Sequence, residues 1–308
     1  VMRIAALAAG GVGGYFGARL AAAGHDVTFI ARGAHRAAIE KDGLRVESPL
    51  GDFTVKPAQV SDDPAKVGPV DIVLFAVKLW DTEKAGEAAR PLVGPNTRVI
   101  TLQNGVDSVE RLTPVVGVDH VVGGVAYIAT VIAEPGLIQH TSRFAIIRCG
   151  FPDRRSDPVL AAFADSAQKA GIDIAVAEDI EVERWKKFVF LSSMAAVNGA
   201  TRQAIGPILA DPDTRGLLQN LLREVVAVAM AKGVKLTADF ADDRLRFAET
   251  VPPGMKASML HDLERGNRLE LDWLCGKTVA LGRELGVPTP ASETVYAALK
   301  PWRMGAAG

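Results

Sequence analysis

The sequence predicts an α/β protein: a Rossmann-type, doubly wound parallel sheet in the N-terminal half and an all-α domain in the C-terminal half. Three observations carry this expectation. A glycine turn lies between an apolar run and a helix-like stretch near the N-terminus, apolar runs then alternate with helical stretches, and beyond about residue 178 only helical patterns remain.

Arg3-Ile4-Ala5-Ala6-Leu7 is a short apolar run that ends in small residues. With Ala8-Ala9-Gly10 it has the composition of a signal-peptide core, but it passes straight into a glycine turn and an amphipathic stretch, so it reads as a buried strand. Val12 to Ala23 has helix-like composition up to a stop at Gly24. Val27-Thr28-Phe29-Ile30-Ala31 has the length of a strand buried on both faces of a parallel sheet, which completes a first βαβ unit. Further strands fall at Asp71 to Ala76 and Arg98 to Leu102, with a helical stretch from Thr82 to Leu92 between them. In the second half, helical patterns cover Val182 to Ala196, Arg215 to Lys232, Asp242 to Phe247 and Leu269 to Leu285, broken at Gly233, Pro252-Pro253 and Gly286. The expected domains are 1–178, binding a nucleotide, and 179–308, all-helical.

Composition narrows the function. A chain of 308 residues is long enough for two cores, and 48% hydrophobic with 23% charged residues leaves no stretch too polar to fold. The net charge of −1 leaves no electrostatic footprint for nucleic acid or an anionic membrane, and no segment is long enough to span a bilayer, so the expected partner is a small molecule. Cys149 and Cys275 are too few for a disulfide framework and fit a reducing compartment, with cytoplasm the default. Cys275, amid Trp273 and Leu274 on a helical stretch, reads as a packing residue. The five histidines, at 25, 35, 120, 140 and 261, show no metal-ligand spacing.

The glycine turn carries the first chemistry. In a dinucleotide-binding turn, glycines let the backbone approach a pyrophosphate while the next helix offers its N–H groups and positive dipole end. Ala8-Ala9-Gly10-Gly11-Val12-Gly13 matches the G-x-G-x-x-G pattern at its second and third glycines, with alanine at the first. Ala9, Gly10, Gly11, Val12 and Gly13 are therefore coenzyme-binding candidates. Alanine at the first position is tolerated if its φ is negative and costly otherwise. At the end of the second strand a carboxylate would select NAD and a cation NADP; the residue there is Arg32, with His35 and Arg36 as helpers, while Asp26 stands at the wrong end of the strand. The expected coenzyme is NADP(H).

Beyond this loop, Ala76-Val77-Lys78, Leu102-Gln103-Asn104-Gly105, Glu183-Arg184-Trp185-Lys186-Lys187, Ser258 to Gly266, Leu269-Glu270-Leu271-Asp272 and Gly286-Val287-Pro288-Thr289-Pro290 occur in order along the chain. In these motifs, over nearly its whole length, the chain resembles the ketopantoate (2-dehydropantoate) reductase family. The resemblance implies hydride transfer from NADPH to the carbonyl of a 2-oxo acid, nominally ketopantoate to pantoate in pantothenate biosynthesis. It implies that Lys187 gives a proton to the developing alkoxide, with Lys186 the second choice. Spacing alone instead makes Glu183 and Lys187 an ordinary i,i+4 pair worth about 0.2–0.5 kcal/mol. The resemblance further implies that Lys78 and Asn104 contact the coenzyme, Asn104 also the substrate, that Glu270 reaches the coenzyme as part of the catalytic set, and that Ser258 bonds the substrate; Asp262, one helical turn after Ser258, is placed to orient Lys187 or the serine.

The chain departs from the family where asparagines grip ketopantoate: Leu191, Ala195 and Met255 stand in their places, with Ser192, Ser193 and Asn198 as possible compensation. A reductase of a more apolar 2-oxo acid or ketone is thus a second reading. A third is a non-catalytic NADP-binding sensor or scaffold. The apolar helical half suggests a homodimer. Arg32→Glu should weaken NADPH binding by on the order of tenfold more than NADH binding, because guanidinium matches a 2′-phosphate in charge and fork geometry; equal loss in fluorescence titrations with the two coenzymes would refute the role of Arg32.

Overall fold

The structure, a computed structural model, describes residues 1–306. They form two compact units, divided along the chain between Glu183 and Arg184.

The first unit contains β1 (Arg3–Leu7), α1 (Gly11–Ala22), β2 (Asp26–Ile30), α2 (Gly33–Asp42), β3 (Leu44–Glu47), β4 (Phe53–Val55), β5 (Gln59–Ser61), β6 (Val70–Phe75), α3 (Thr82–Ala89), β7 (Val93–Thr101), α4 (Ser108–Val116), β8 (Val121–Tyr127), β9 (Thr130–Glu134), β10 (Leu137–His140), β11 (Ile146–Gly150), α5 (Pro158–Lys169) and β12 (Asp173–Val176). Its main sheet has the order β12-β11-β8-β7-β6-β1-β2-β5, parallel throughout except where β11 runs antiparallel to β8. Alternation of side chains across the sheet splits the core in two: Ile4, Ala6, Ile72 and Leu74 enter one apolar cluster, and Ala5, Leu7, Val73 and Phe75 enter the other. Burying each Val, Leu, Ile or Phe side chain contributes about 1.5–3 kcal/mol, which is why β1 and β6 read as unbroken apolar runs. From β1 the chain steps to β2 on one side and later to β6 on the other, so the strand order reverses between β1 and β6. In open α/β sheets, ligands bind at the carboxyl ends of the strands at such a reversal.

A second sheet, β4-β3-β10-β9, has no counterpart in the sequence reading. Its strands have only three to five residues, and β3 pairs with β10 across some ninety positions, so no local pattern announces it. Helix α1 packs on β1 and β2 and also on β9 and β10, and its residues from Gly13 to Ala18 are all buried.

The second unit is helical: α6 (Ile180–Thr201), α7 (Ile205–Ala210), α8 (Pro212–Ala231), α9 (Phe240–Ala248), α10 (Ser258–Glu264), α11 (Cys275–Leu285) and α12 (Pro290–Leu299), with α6 beginning just before the division. Asp211 caps α8 by accepting from the N–H groups of Asp213 and Thr214, and Gly286 ends α11 in the left-handed conformation, φ +69°. The buried carboxylate of Glu224 on α8 accepts from the N–H groups of Ala291 and Ser292 and from the Ser292 hydroxyl, tying α12 to α8. One expected helix is corrected. Leu269 and Glu270 are not helical, because the Leu269 N–H bonds the carbonyl of Arg303, and a short 3-10 turn at Leu271–Trp273 precedes α11. Among the described residues no helix is long and apolar enough to cross a membrane, and no group of three or more His, Cys, Asp or Glu side chains could hold a metal ion.

Candidate active site

The glycine turn leaves the end of β1 beside the β1/β6 reversal. Ala8, at the first fingerprint position, has φ +59°, the left-handed region in which a Cβ costs roughly 1–2 kcal/mol. Of the two cases open to alanine there, the costly one is realised. The turn keeps the shape that glycine would give it, and the surroundings bear the strain. The Ala9 N–H bonds the Ile30 carbonyl of β2 at 2.9 Å, and the Gly10 N–H bonds the Ala8 carbonyl at 2.7 Å.

The three glycines differ in what they make room for. A Cβ on Gly11 would lie 2.7–2.9 Å from the carbonyl and hydroxyl of Thr130, so β9 presses on the turn there. One on Gly13 would lie 2.8 Å from the Ala8 carbonyl, which is the close packing of helix on strand. At Gly10 it would meet nothing nearer than 3.9 Å. That open side adjoins the N-terminus of α1, which has no side-chain cap and no acidic residue in its first turn, so its N–H groups and dipole are left to an incoming anion. Val12, half-buried, follows in the same first turn.

Arg32 follows the end of β2 as the exposed N-cap of α2, and Asp26 is the first residue of β2. The two proposed helpers of Arg32 are engaged elsewhere. Arg36 pairs with Asp62 at 2.5 Å and with Glu40 at 3.9 Å. His35 accepts the Gly136 N–H on Nδ1 (3.0 Å), which leaves the proton on Nε2, and Nε2 donates to the Ala9 carbonyl (2.9 Å).

Lys78 and Asn104 follow the carboxyl ends of β6 and β7. Lys78 is exposed, with its ammonium 5.6 Å from the centre of the Trp80 ring, and Asn104 is half-buried before Gly105, whose φ is +87°. Gln103, to which the sequence reading assigned no role, joins the two loops: its amide donates to the Val77 carbonyl and to the Thr82 hydroxyl.

In the second unit, Lys187 lies on α6 with Leu191 and Ala195 one and two turns further along the same face. Burial lowers the lysine to about 8 from its ordinary range, opposed by the charge of Glu270, which is itself buried 83 residues later. The fold thus brings Lys187 and Glu270 together, and leaves the lysine able to exchange a proton near neutral pH. Ser258 is exposed at the first position of α10, Met255 lies exposed before it, and the Asp262 carboxylate accepts from Asn267 at 3.2 Å. Of the expected compensating side chains, Asn198 is not available. Its amide donates to the Gln203 carbonyl and accepts the Ala257 N–H, which closes the loop ahead of α10. Ser192 and Ser193 are buried on α6, the Ser193 hydroxyl without a hydrogen-bond partner. Burial pushes both cysteine thiols up to about 12, so neither is a thiolate at neutral pH.

Residues 4–151 match the family model "Ketopantoate reductase PanE/ApbA" and residues 179–303 match "Ketopantoate reductase PanE/ApbA C terminal". A 2-dehydropantoate 2-reductase of Mesorhizobium japonicum is 33% identical, with 97% of each chain covered. An uncharacterized oxidoreductase of Bacillus subtilis, YkpB, is 29% identical over 97% of this chain and 98% of its own. Among solved structures, a PanE/ApbA family ketopantoate reductase from Ralstonia eutropha superposes with a TM-score of 0.90 at 34% identity, covering 98% of both chains.

Ala8→Gly should relieve the left-handed strain and raise stability by about 1 kcal/mol, read as a higher urea midpoint; a lower midpoint would mean that the turn is not strained at Ala8.

Proposed function

We propose, because the chain belongs to the ketopantoate reductase PanE/ApbA family, that it reduces a 2-oxo acid to a 2-hydroxy acid with NADPH, ketopantoate to pantoate being the first candidate. It is an oxidoreductase acting on a CH–OH group, with NADP(H) as coenzyme. The observation that carries the reading is the half-buried Lys187 beside the buried Glu270, which supplies a lysine of depressed pKa next to a carboxylate.

The residues of the turn fit a dinucleotide. The open side of Gly10 and the uncapped α1 N-terminus suit a pyrophosphate, and Arg32 at the close of β2 suits a 2′-phosphate. Lys78 and Asn104, on the loops that Gln103 joins, are the further coenzyme contacts. When bound, the coenzyme supplies a hydride to the carbonyl carbon of the substrate. Lys187, as ammonium, stabilises negative charge gathering on the carbonyl oxygen and gives it a proton, which completes the alcohol. Glu270 holds the lysine in its charged form against desolvation, and on this reading also reaches the coenzyme. Ser258 and Asn104 bond the polar groups of the substrate, and Asp262 helps to orient them.

A second reading concerns the substrate alone. Leu191 and Ala195 offer no hydrogen bonds along the face of α6 that Lys187 begins, and Asn198 is committed to the backbone, so a more apolar 2-oxo acid would lose less here than ketopantoate.

NADPH oxidation measured with a panel of 2-oxo acids tests both readings. Turnover on ketopantoate supports the first and turnover on apolar members alone the second, whereas NADPH binding with no turnover on any member would leave only a sensor. On the active substrate, Lys187→Ala should lower kcat by roughly 100- to 10,000-fold with NADPH affinity kept. Because the lysine's pKa is depressed, its ammonium form is present below about 8 and lost above it, so wild-type reduction should fall as pH rises through that value. Unchanged turnover in the variant would remove Lys187 from the reaction.

A further inference from the structure

We infer that His35 is a positioning residue for the coenzyme, acting through the peptide of Ala9 to hold the pyrophosphate turn in its binding shape. The inference rests on the reading of that turn as the coenzyme site. It stands on three features of the first unit.

The first is that the turn is strained. Ala8 sits at φ +59° without being glycine, and such a conformation persists only where the neighbours over-determine it. The second is that the next residue, Ala9, is gripped at both its N–H and its carbonyl. The Ala9 N–H is bonded to Ile30 of β2, and the Ala9 carbonyl receives the Nε2–H of His35. A carbonyl held in this way cannot rotate toward the open side of Gly10, where a pyrophosphate oxygen would be repelled by it. The third is that the imidazole is itself fixed. Its Nδ1 accepts the N–H of Gly136 in the β9–β10 turn, and the Gly136 carbonyl in turn accepts the N–H of Arg45 on β3.

The ring is a strut between the small sheet and the nucleotide turn, and both its nitrogens are used. It therefore cannot serve the 2′-phosphate as a donor. The same small sheet reaches the turn a second time, where Thr130 abuts Gly11. Its placement beside α1 thus has a consequence for binding as well as for packing.

The two coenzymes separate this role from that of Arg32. A residue acting on the pyrophosphate turn affects NADPH and NADH equally, since both carry the pyrophosphate, whereas Arg32 senses only the 2′-phosphate. The experiment is fluorescence titration of the intact chain with NADPH and with NADH, with thermal melting as the check on folding, for wild type, His35→Ala and His35→Gln. Gln places an amide N–H near the position of Nε2 and can still donate to the Ala9 carbonyl.

His35→Ala should raise the Kd for both coenzymes by a common factor on the order of tenfold, which is one lost hydrogen bond of about 1.4 kcal/mol. It should raise KM for NADPH far more than it lowers kcat, and His35→Gln should recover most of the affinity. An unchanged Kd in His35→Ala, a loss confined to NADPH, or a Gln variant as weak as Ala would overturn the assignment of His35 alone. Absence of NADPH binding by the wild-type chain would overturn the coenzyme reading as well. Should His35→Ala fail to fold, the ratio of His35→Gln to wild type still decides: binding weakened by tenfold or more refutes the donor role.

Discussion

The peptide of Ala9 is the constraint on which the nucleotide end of the molecule depends. A strand that enters a helix through three residues must reverse sharply, and here the reversal is made at Ala8 in a backbone conformation that glycine would adopt at lower cost. The hydrogen bonds on either side of Ala9 hold that geometry from β2 and from α2. With the turn fixed, Gly10 is left with an open side, Gly13 lets α1 settle on β1, and the first N–H groups of α1 have no side chain to satisfy them. The main sheet aims this turn at the reversal between β1 and β6, where the loops carrying Lys78 and Asn104 also begin.

In the proposed function the proton chemistry belongs to the helical unit and uses a different physical device. A lysine of ordinary pKa holds its proton too tightly to exchange it at neutral pH, and a buried lysine with no compensation loses its charge altogether. Lys187 lies between these limits because burial and the Glu270 carboxylate act in opposite directions. The pair is made by α6 and by the non-helical segment at Leu269 and Glu270, which the bond from Leu269 to Arg303 draws out of the helix expected there. The irregularity that broke the helical pattern is thus what delivers the carboxylate.

Four of the eight strands of the main sheet, β1, β2, β6 and β7, were legible in the sequence as apolar runs, whereas β5, β8, β11 and β12 were not placed. The apolar runs at Ile4 to Leu7, Val27 to Ile30 and Ile72 to Phe75 have no other use. The glycine turn was legible from spacing, and Arg32 from its place after the second strand. The small sheet was not, since β9 is largely exposed and β3 finds its partner only in the folded chain. For the same reason His35 and Arg36 were assigned to the 2′-phosphate. Proximity in sequence to Arg32 suggested it, and only the long-range partners Gly136 and Asp62 show where those side chains are spent. Asn198, which the sequence offers with Ser192 and Ser193 as compensation for the missing asparagines, is likewise bonded to distant backbone, at Gln203 and Ala257.

The account stands on the coenzyme lying against the turn from Ala8 to Gly13, and amide hydrogen exchange reads that contact residue by residue. Saturation with NADPH should slow exchange at the N–H groups of Gly11, Val12 and Gly13, which an uncapped helix start otherwise leaves to water. Unchanged exchange across these amides, with protection arising elsewhere in the chain, would contradict it.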